Sequence, residues 1–258
     1  MGKANEKNEF GNLPDGWKRV KLGEVINKIG DGGTPPREDY SNFNGGIPWV
    51  VIEDIKKRIY STKETLSLKG LRRSNAKLWK KGSIILSFGA TIGEVGIAEI
   101  DLATKQGIAG IELKEKKIFY NFLYFLLLTK KQELLRYANQ TTISEIRPET
   151  IKEKIQFLLP PLPEQKKIAE ILETVDNAIE KTDAIIGKYK RIKQGLMQDL
   201  LTKGIDEKGQ IRSEQTHKFK DSPLGRIPEE WEVVRLGEIL AFKNGINFSQ
   251  EEKSENGY

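Results

Sequence analysis

One set of residues in this 258-residue sequence has the spacing of a metal-dependent nuclease site. Asp101 precedes a Glu-x-Lys pattern formed by Glu112 and Lys114. Two carboxylates and a lysine of this kind can hold a divalent ion and a water molecule for phosphodiester hydrolysis. The same Glu-x-Lys pattern also occurs at residues 115–117, 164–166 and 251–253. A chain rich in Glu and Lys produces it freely, so an autonomous nuclease remains only an alternative.

Other catalytic arrangements are missing from the sequence. The chain has no Cys, which excludes disulfides, thiolate nucleophiles and Cys-ligated zinc. Its one His, His217, lies in a polar segment and has the features of a surface residue. The glycine-rich stretches GDGG and GATIGEVG lack the spacing of a phosphate-binding loop, and no Asn-Pro-Pro-aromatic segment of amino-methyltransferases occurs. We therefore expect a protein that recognises a partner, with no catalytic residue, metal or cofactor of its own.

The charge of the chain points to a polyanionic partner. It carries 43 Lys and Arg against 37 Asp and Glu, a net charge of +6, and its pI is about 9.2. The basic excess lies in residues 1–160, whereas residues 161–258 are slightly acidic. A basic surface attracts nucleic acid, so the first part of the chain is the expected DNA-binding part.

Candidate DNA contacts are basic residues in short clusters and polar residues in predicted loops. Lys and Arg would contact phosphates, and loop polar groups would contact phosphates or base edges. The residues predicted to bind DNA are Thr34, Arg37, Lys56, Lys57, Arg58, Arg72, Arg73, Thr91, Lys105, Gln106, Thr141 and Arg147. The four Trp residues are instead expected in the core.

Residues 1–160 have the pattern of an α/β (α+β) domain with many short strands. Short apolar runs at 45–55, 82–100, 107–113 and 153–163 alternate with Gly- and Pro-rich turns. Residues 117–138 are predicted to be helical. They contain the most apolar run, 119–128, which is too short to span a bilayer and is expected to be a buried helix. The N-terminus lacks the apolar region of a secretory signal, and a cytoplasmic location is expected.

A single long helix is predicted for residues 161–204. Proline stands at its start and glycine follows its end. Its apolar stripe has 4–3 spacing and indicates a coiled-coil-forming helix that needs a partner helix. The stripe residues expected to pack there are Ile168, Leu172, Val175, Ile179, Ile186, Tyr189, Leu196 and Leu200. The alternative is a long helix packed along its own domain.

The beginning of the chain is repeated near its end. PDGWKRVKLGEVI at 14–26 matches PEEWEVVRLGEIL at 228–240 in six of thirteen positions, including Trp17 and Trp231. An offset of 214 residues indicates a duplicated domain-sized unit. We therefore expect a polar linker at 205–227, followed at 228–258 by the start of a truncated second recognition domain.

The order of these motifs resembles the specificity subunit of type I DNA restriction–modification systems. The carrying segments are the WKRVKLGEV opening, GDGGTPPREDY, GGIPWVVIEDI, GSIILSFGATIGEVGIA and, most specifically, PPLPEQKKIAEIL with its long helix. The resemblance covers nearly all of residues 13–245. Family members carry two target-recognition domains, each followed by a long helix, and the two helices pack antiparallel as a ruler between two DNA half-sites.

The resemblance implies a non-catalytic subunit that binds double-stranded DNA and docks methyltransferase and restriction/translocase subunits. The methyltransferase would use S-adenosylmethionine, and the restriction subunit ATP and Mg. This chain has one recognition domain, so it resembles a half-length form. Such a form would pair with a second copy through the helix at 164–203 and read an inverted repeat. A third interpretation, besides a specificity subunit and an autonomous nuclease, is a basic coiled-coil protein that binds DNA without sequence preference. The segment at 164–166 is further interpreted as a hinge between domain and helix.

Overall fold

The computed structural model describes residues 13–138 and 146–241, together with Gly245. The chain divides into two compact units, Met1–Ala178 and Ile179–Tyr258. The division falls inside the long helix, whose first turns pack on the core of the N-terminal domain.

The strands of the first unit are short, as the sequence predicts. In chain order they are β1 (Lys18–Lys21), β2 (Ile26–Asp31), β3 (Phe43–Val50), β4 (Arg58–Ile59), β5 (Glu64–Leu66), β6 (Leu78–Trp79), β7 (Ile84–Phe88), β8 (Ile92–Ala98), β9 (Leu102–Thr104), β10 (Ile108–Leu113) and β11 (Gln156–Leu159). They form a five-stranded sheet in the order β2-β10-β7-β8-β4 and a four-stranded sheet in the order β5-β3-β9-β6. Strand β1 pairs separately with β11. Most neighbours are antiparallel, whereas β4 with β8 and β3 with β9 are parallel.

The helices of the first unit surround these sheets. They are α1 (Leu22–Val25), α2 (Leu68–Arg72), α3 (Tyr120–Thr129), α4 (Lys131–Ala138), α5 (Pro148–Lys154) and the first part of α6 (Leu162–Lys203). The apolar run at 119–128 is a buried helix, as predicted. The one helix expected at 117–138 is two, α3 and α4, which meet at Lys130. Within the described chain, no helix is long and apolar enough to cross a membrane.

The central strand β7 shows how the core is built. Its side chains alternate between the two faces of the five-stranded sheet, since successive strand residues point in opposite directions. Ile84 and Leu86 pack with α3 and α5 on one face, while Ile85 packs with Trp79 on the other. All four side chains are fully buried. The sheet is therefore covered on both sides, which explains the continuous apolar run IILSF.

The second unit contains the later part of α6 and the segment that follows it. Strands β12 (Phe219–Ser222) and β13 (Gly225–Pro228) form an antiparallel hairpin at the end of the segment 205–227 that was expected to be a linker, and β13 extends one residue beyond it. Helix α7 (Leu236–Ile239) follows. It repeats the local structure of α1: Glu24 accepts a hydrogen bond from the backbone N–H of Lys21 at 2.7 Å, and Glu238 accepts one from that of Arg235 at 3.4 Å. The sequence repeat is therefore also a repeat of local structure.

Candidate nucleic-acid interface

A polar groove of about 750 Å³ lies beside the glycine-rich loop that follows β2. Four residues predicted to bind DNA line it: Thr34, Arg72, Arg73 and Gln106. A second groove of about 580 Å³ is lined by Thr91, Lys105 and Gln106, so Gln106 belongs to both. The fold thus brings six of the twelve predicted contacts, from three loops and the C-terminal end of α2, to one stretch of surface. We call this surface the joined groove.

Hydrogen bonds donated by backbone N–H groups hold the loops of the joined groove together. The N–H groups of Gly32 and Gly33 donate to the carbonyls of Ile108 and Thr104 at 3.1 and 2.9 Å. The Asp31 carboxylate accepts a hydrogen bond from the N–H of Gly107 at 2.8 Å. The loop after β2 and the loop between β9 and β10 are therefore fixed against each other, which presents Thr34 beside Gln106.

Two glycines are required for this close approach. A Cβ on Gly32 would lie 2.1 Å from the carbonyl oxygen of Thr104. A Cβ on Gly33 would lie 2.2 Å from the backbone nitrogen of Ala76. Both distances are far below contact distance, so no other residue fits without displacing backbone. The GDGG stretch is thus a packed loop beneath the groove.

Two buried tryptophans support the same loops from the core side. The indole N–H of Trp49 donates to the carbonyl of Gly33 at 3.1 Å, and that of Trp79 donates to the Thr104 hydroxyl at 3.1 Å. Both rings are fully buried, as predicted, whereas Trp17 and Trp231, which were also expected in the core, are only partly buried. Each buried indole satisfies its polar atom on a groove loop, so the core fixes the position of the loop.

The cations of the joined groove differ in how far they are neutralised. Arg72, Lys77 and Lys105 form no ion pair with any described residue. Arg73 pairs with Asp39 at 2.7 Å. The pKa of Asp39 is lowered to about 2, because Ser41 and then Lys69 donate hydrogen bonds to its carboxylate. The carboxylates Asp31 and Glu53 also line the joined groove. Its three unneutralised cations and its neutral polar side chains suit a phosphate backbone and base edges.

Sequence reasoning missed part of this groove. Ser74, Asn75 and Lys77 line it together with Arg72 and Arg73, and Asp31 lies at its other side. The available signal was proximity, since Lys77 follows the double arginine by four residues in LRRSNAKLW.

Three predicted contacts are held by carboxylates outside the joined groove. Arg37 forms a two-bond pair with Glu64, at 2.5 and 3.1 Å. Lys57 pairs with Asp176 of α6 at 3.0 Å. Arg58 binds Glu99 and also Glu173 of α6. These three basic groups are therefore largely neutralised within the first unit.

The last three predicted contacts have different positions. Lys56 is exposed and does not line the joined groove, and Arg147 is the exposed residue that precedes α5. Thr141 lies outside the described residues. Their role in DNA binding stays a prediction.

Two of the three residues considered for a nuclease site, Asp101 and Lys114, interact with residues outside that set. Asp101 pairs with Lys80 at 2.7 Å, and this hydrogen bond lowers the pKa of Asp101. The Lys114 ammonium donates to the carbonyl of Glu24 at 3.2 Å. No group of three or more His, Asp or Glu side chains in the described ranges is placed to hold a metal ion.

Most residues of the apolar stripe of α6 are exposed. Ile168 is half-buried and packs on the core of its own domain. The other predicted stripe residues are exposed by 38–67%, and they are Leu172, Val175, Ile179, Ile186, Tyr189, Leu196 and Leu200. A helix of 42 residues is about 63 Å long at 1.5 Å per residue. An exposed apolar stripe of this length is characteristic of a helix that packs on another helix.

Comparison with known proteins gives a consistent assignment. A family model described as "Type I restriction modification DNA specificity domain" matches residues 14–187. The MjaIX specificity subunit of Methanocaldococcus jannaschii is 28% identical over 96% of this chain and 57% of its own length. The MjaVIII subunit of the same organism is 30% identical over 95% of this chain and 54% of its own. The Escherichia coli EcoBI specificity subunit is 25% identical over 88% and 47%.

Solved structures share the fold. The HsdS subunit from Thermoanaerobacter tengcongensis superposes with a TM-score of 0.56 at 21% identity, over 75% of this chain and 46% of that one. A chain of a structure on complex assembly and conformational transition of the type I R-M system gives 0.59 at 22%, over 77% and 49%. The chain spans about half the length of the relatives it matches. With two thirds of its residues inside the family match, the chain belongs to the type I restriction–modification DNA specificity domain family.

Proposed function

We propose that the chain is a non-catalytic DNA-specificity component of a type I restriction–modification complex. Its first unit binds one half-site of a split target through the joined groove. The observation that carries this is the convergence of three loops and the C-terminal end of α2, with three unneutralised cations and the polar side chains of Thr34 and Gln106, on one surface. Cations position such a protein on phosphates, and amides such as that of Gln106 can read base edges.

The long helix supplies the second half of the proposal. Its exposed apolar stripe is suited to a second copy of the same helix, packed antiparallel. Two copies related by a two-fold axis would present two joined grooves to one duplex. Two-fold symmetry in the protein demands an inverted repeat in the DNA, with a spacer set by the helix pair.

The partners follow from the family and are part of the proposal. Two methyltransferase subunits would dock on the paired chains and supply S-adenosylmethionine, and restriction/translocase subunits would join with ATP and Mg. The chain itself would hold no cofactor. Because its proposed binding target is cellular DNA, the proposed place of action is the prokaryotic cytoplasm.

Selection from a library of random duplexes tests the proposal. The purified chain, alone and with its methyltransferase subunit, should enrich one inverted repeat with a fixed spacer. Mass measurement in solution should show a dimer that takes up methyltransferase. No enrichment, with affinity that collapses as salt rises, would instead support a basic coiled-coil protein without sequence preference. DNA cleavage by the chain alone with Mg would support the nuclease alternative.

A further inference from the structure

The first turn of α6 is locked to the domain by a buried amide. Gln165 is 1% exposed. Its Nε2 donates to the carbonyls of Lys117 and Pro160 at 3.0 and 2.9 Å, and its Oε1 accepts from the N–H of Phe119 at 2.9 Å. Three bonds to three backbone positions fix the side chain in one orientation. The sequence suggests a hinge here, whereas these contacts favour a fixed joint.

A second anchor lies further along the same helix. The Glu173 carboxylate accepts hydrogen bonds from Arg58 at 2.6 Å and from the Asn121 amide at 3.1 Å. Burial alone would lower the pKa of Arg58, but the hydrogen bonds and charges of Glu173 and Glu99 outweigh it and raise that pKa. The guanidinium therefore keeps its charge and ties the helix to the sheet.

One turn later, Asp176 pairs with Lys57 at 3.0 Å. The Lys57 ammonium also lies over the Phe125 ring, 5.5 Å from its centroid. Both side chains of the ion pair are only partly exposed, at 18% and 34%, so the pair is less screened by solvent than a pair on the open surface.

The spacing of the anchors has a geometric consequence. Glu173 and Asp176 follow Gln165 by eight and eleven residues, which is about 12 and about 16 Å along the helix axis. A helix held at one point can pivot, whereas a helix held at two points this far apart has a fixed direction. The anchors therefore fix the direction of the helical segment that belongs to the first unit.

The anchors and the joined groove are connected by one sheet. Arg58 lies on β4, at one edge of the five-stranded sheet. Asp31 is the last residue of β2, and the loop that carries Gln106 leads into β10. These two strands are neighbours at the opposite edge. A hydrogen-bonded sheet with both faces covered is stiff, so the direction of the helix is fixed relative to the groove.

We propose that Gln165, Arg58 and Lys57 are positioning residues that fix the direction of α6 relative to the joined groove, and thereby restrict the half-site spacing that paired chains accept. This rests on the proposed function. It assigns a second determinant of spacing besides the length of the helix. It also explains why two basic residues that resemble DNA contacts are engaged by carboxylates of the helix.

The direction of the helix can be measured by double electron–electron resonance (DEER) between two spin labels on the full chain. The chain has no Cys, so Lys63→Cys and Lys188→Cys introduce two unique sites for spin labels. Dilution with unlabelled chain removes distances between copies. The parent should give one narrow distance distribution. The amide variant Glu173→Gln with Asp176→Asn should widen it about two-fold, because two anchors are weakened while the fold is kept.

Matched variants separate positioning from general damage. Glu180→Gln with Asp183→Asn makes the same chemical change on the same helix, at residues without an ion pair in the described part of the chain, and should leave the distribution narrow. The exchange Lys57→Asp with Asp176→Lys reverses one pair and should restore more of the narrow distribution than either change alone. A distribution that stays narrow in the amide variant would overturn the proposal, as would equal widening in the control.

The preferred half-site spacing is found by measuring affinity for a series of duplexes. Each duplex carries the selected half-site as an inverted repeat, and the spacer length differs from one duplex to the next. The parent should prefer one spacer, and the amide variant should bind neighbouring spacers with affinities within about three-fold of it. Affinity for a single half-site should be unchanged. An unaltered spacer preference despite a wider distribution would overturn the link to spacing. If the parent prefers no sequence at all, the proposed function fails, while the distance measurement still decides whether the anchors fix the helix.

Discussion

The cations of the joined groove should carry a measurable share of DNA affinity. Arg72, Lys77 and Lys105 have no carboxylate partner among the described residues, so their charge is available to phosphates. We expect the triple variant Arg72→Gln, Lys77→Gln, Lys105→Gln to bind DNA more weakly and with less dependence on salt. Glutamine keeps the polar character of the groove and removes only the charge.

The size of the effect follows from counterion release. The slope of log K against log salt is negative, and each lost phosphate contact reduces its magnitude by about 0.9. The loss of three contacts therefore reduces the magnitude by about 2.7. When the salt concentration rises from about 50 mM to about 200 mM, the affinity of the parent should therefore fall by a factor about 40 times larger than the factor for the triple variant. Fluorescence anisotropy of a labelled duplex at several salt concentrations measures both slopes.

A control must separate local contact from net charge. The triple variant Lys188→Gln, Lys190→Gln, Arg191→Gln removes the same charge from exposed positions of α6. It should leave the slope nearly unchanged, because non-contacting charges release few counterions. Arg37→Gln should also have little effect, since Glu64 already neutralises Arg37. An unchanged slope in the groove variant, or an equal change in the helix variant, would refute the assignment of the interface.

Three further outcomes are expected. Gly33→Ala should lower the free energy of unfolding by about 1–3 kcal/mol, because the added carbon would lie 2.2 Å from a backbone nitrogen. Gly187→Ala, at a helix position with open space around it, should raise the free energy of unfolding by up to about 1 kcal/mol. Urea unfolding measures both changes. Ile186→Asp with Leu196→Asp should convert a dimer to monomer in a solution mass measurement, because both side chains are exposed on the stripe. The lowered pKa of Asp39 means that its contribution to stability is present above pH 3.8 and is lost as the pH falls towards about 2; Asp39→Asn should remove that part of the acid dependence, and an identical acid profile would contradict it.

The sequence predicts the elements well because their signals are local. The helix expected at 161–204 is Leu162–Lys203, since the spacing of apolar residues and the flanking Pro and Gly are properties of neighbouring positions. The repeat at 14–26 and 228–240 likewise identifies two segments that form the same capped turn. The break between α3 and α4 at Lys130 was not predicted, because the apolar and polar parts of that region read as one continuous periodic pattern.

The charged surface shows the opposite case. Lys56, Lys57, Arg58, Arg72 and Arg73 look alike as short basic clusters in the sequence. Their partners come from far along the chain. Arg58 meets Glu173, 115 residues away, so its charge is engaged by the helix, whereas nothing described neutralises Arg72.

By itself, the sequence determined several of the strands, the long helix and where a unit begins again, because backbone propensity and periodicity act between neighbours. It did not predict the hairpin of β12 and β13 in the expected linker. Only the tertiary structure decided which basic residues are available to DNA and which anchor the helix. Whether a charge is free depends on which carboxylates the fold brings within hydrogen-bonding distance, and chain order does not encode that distance.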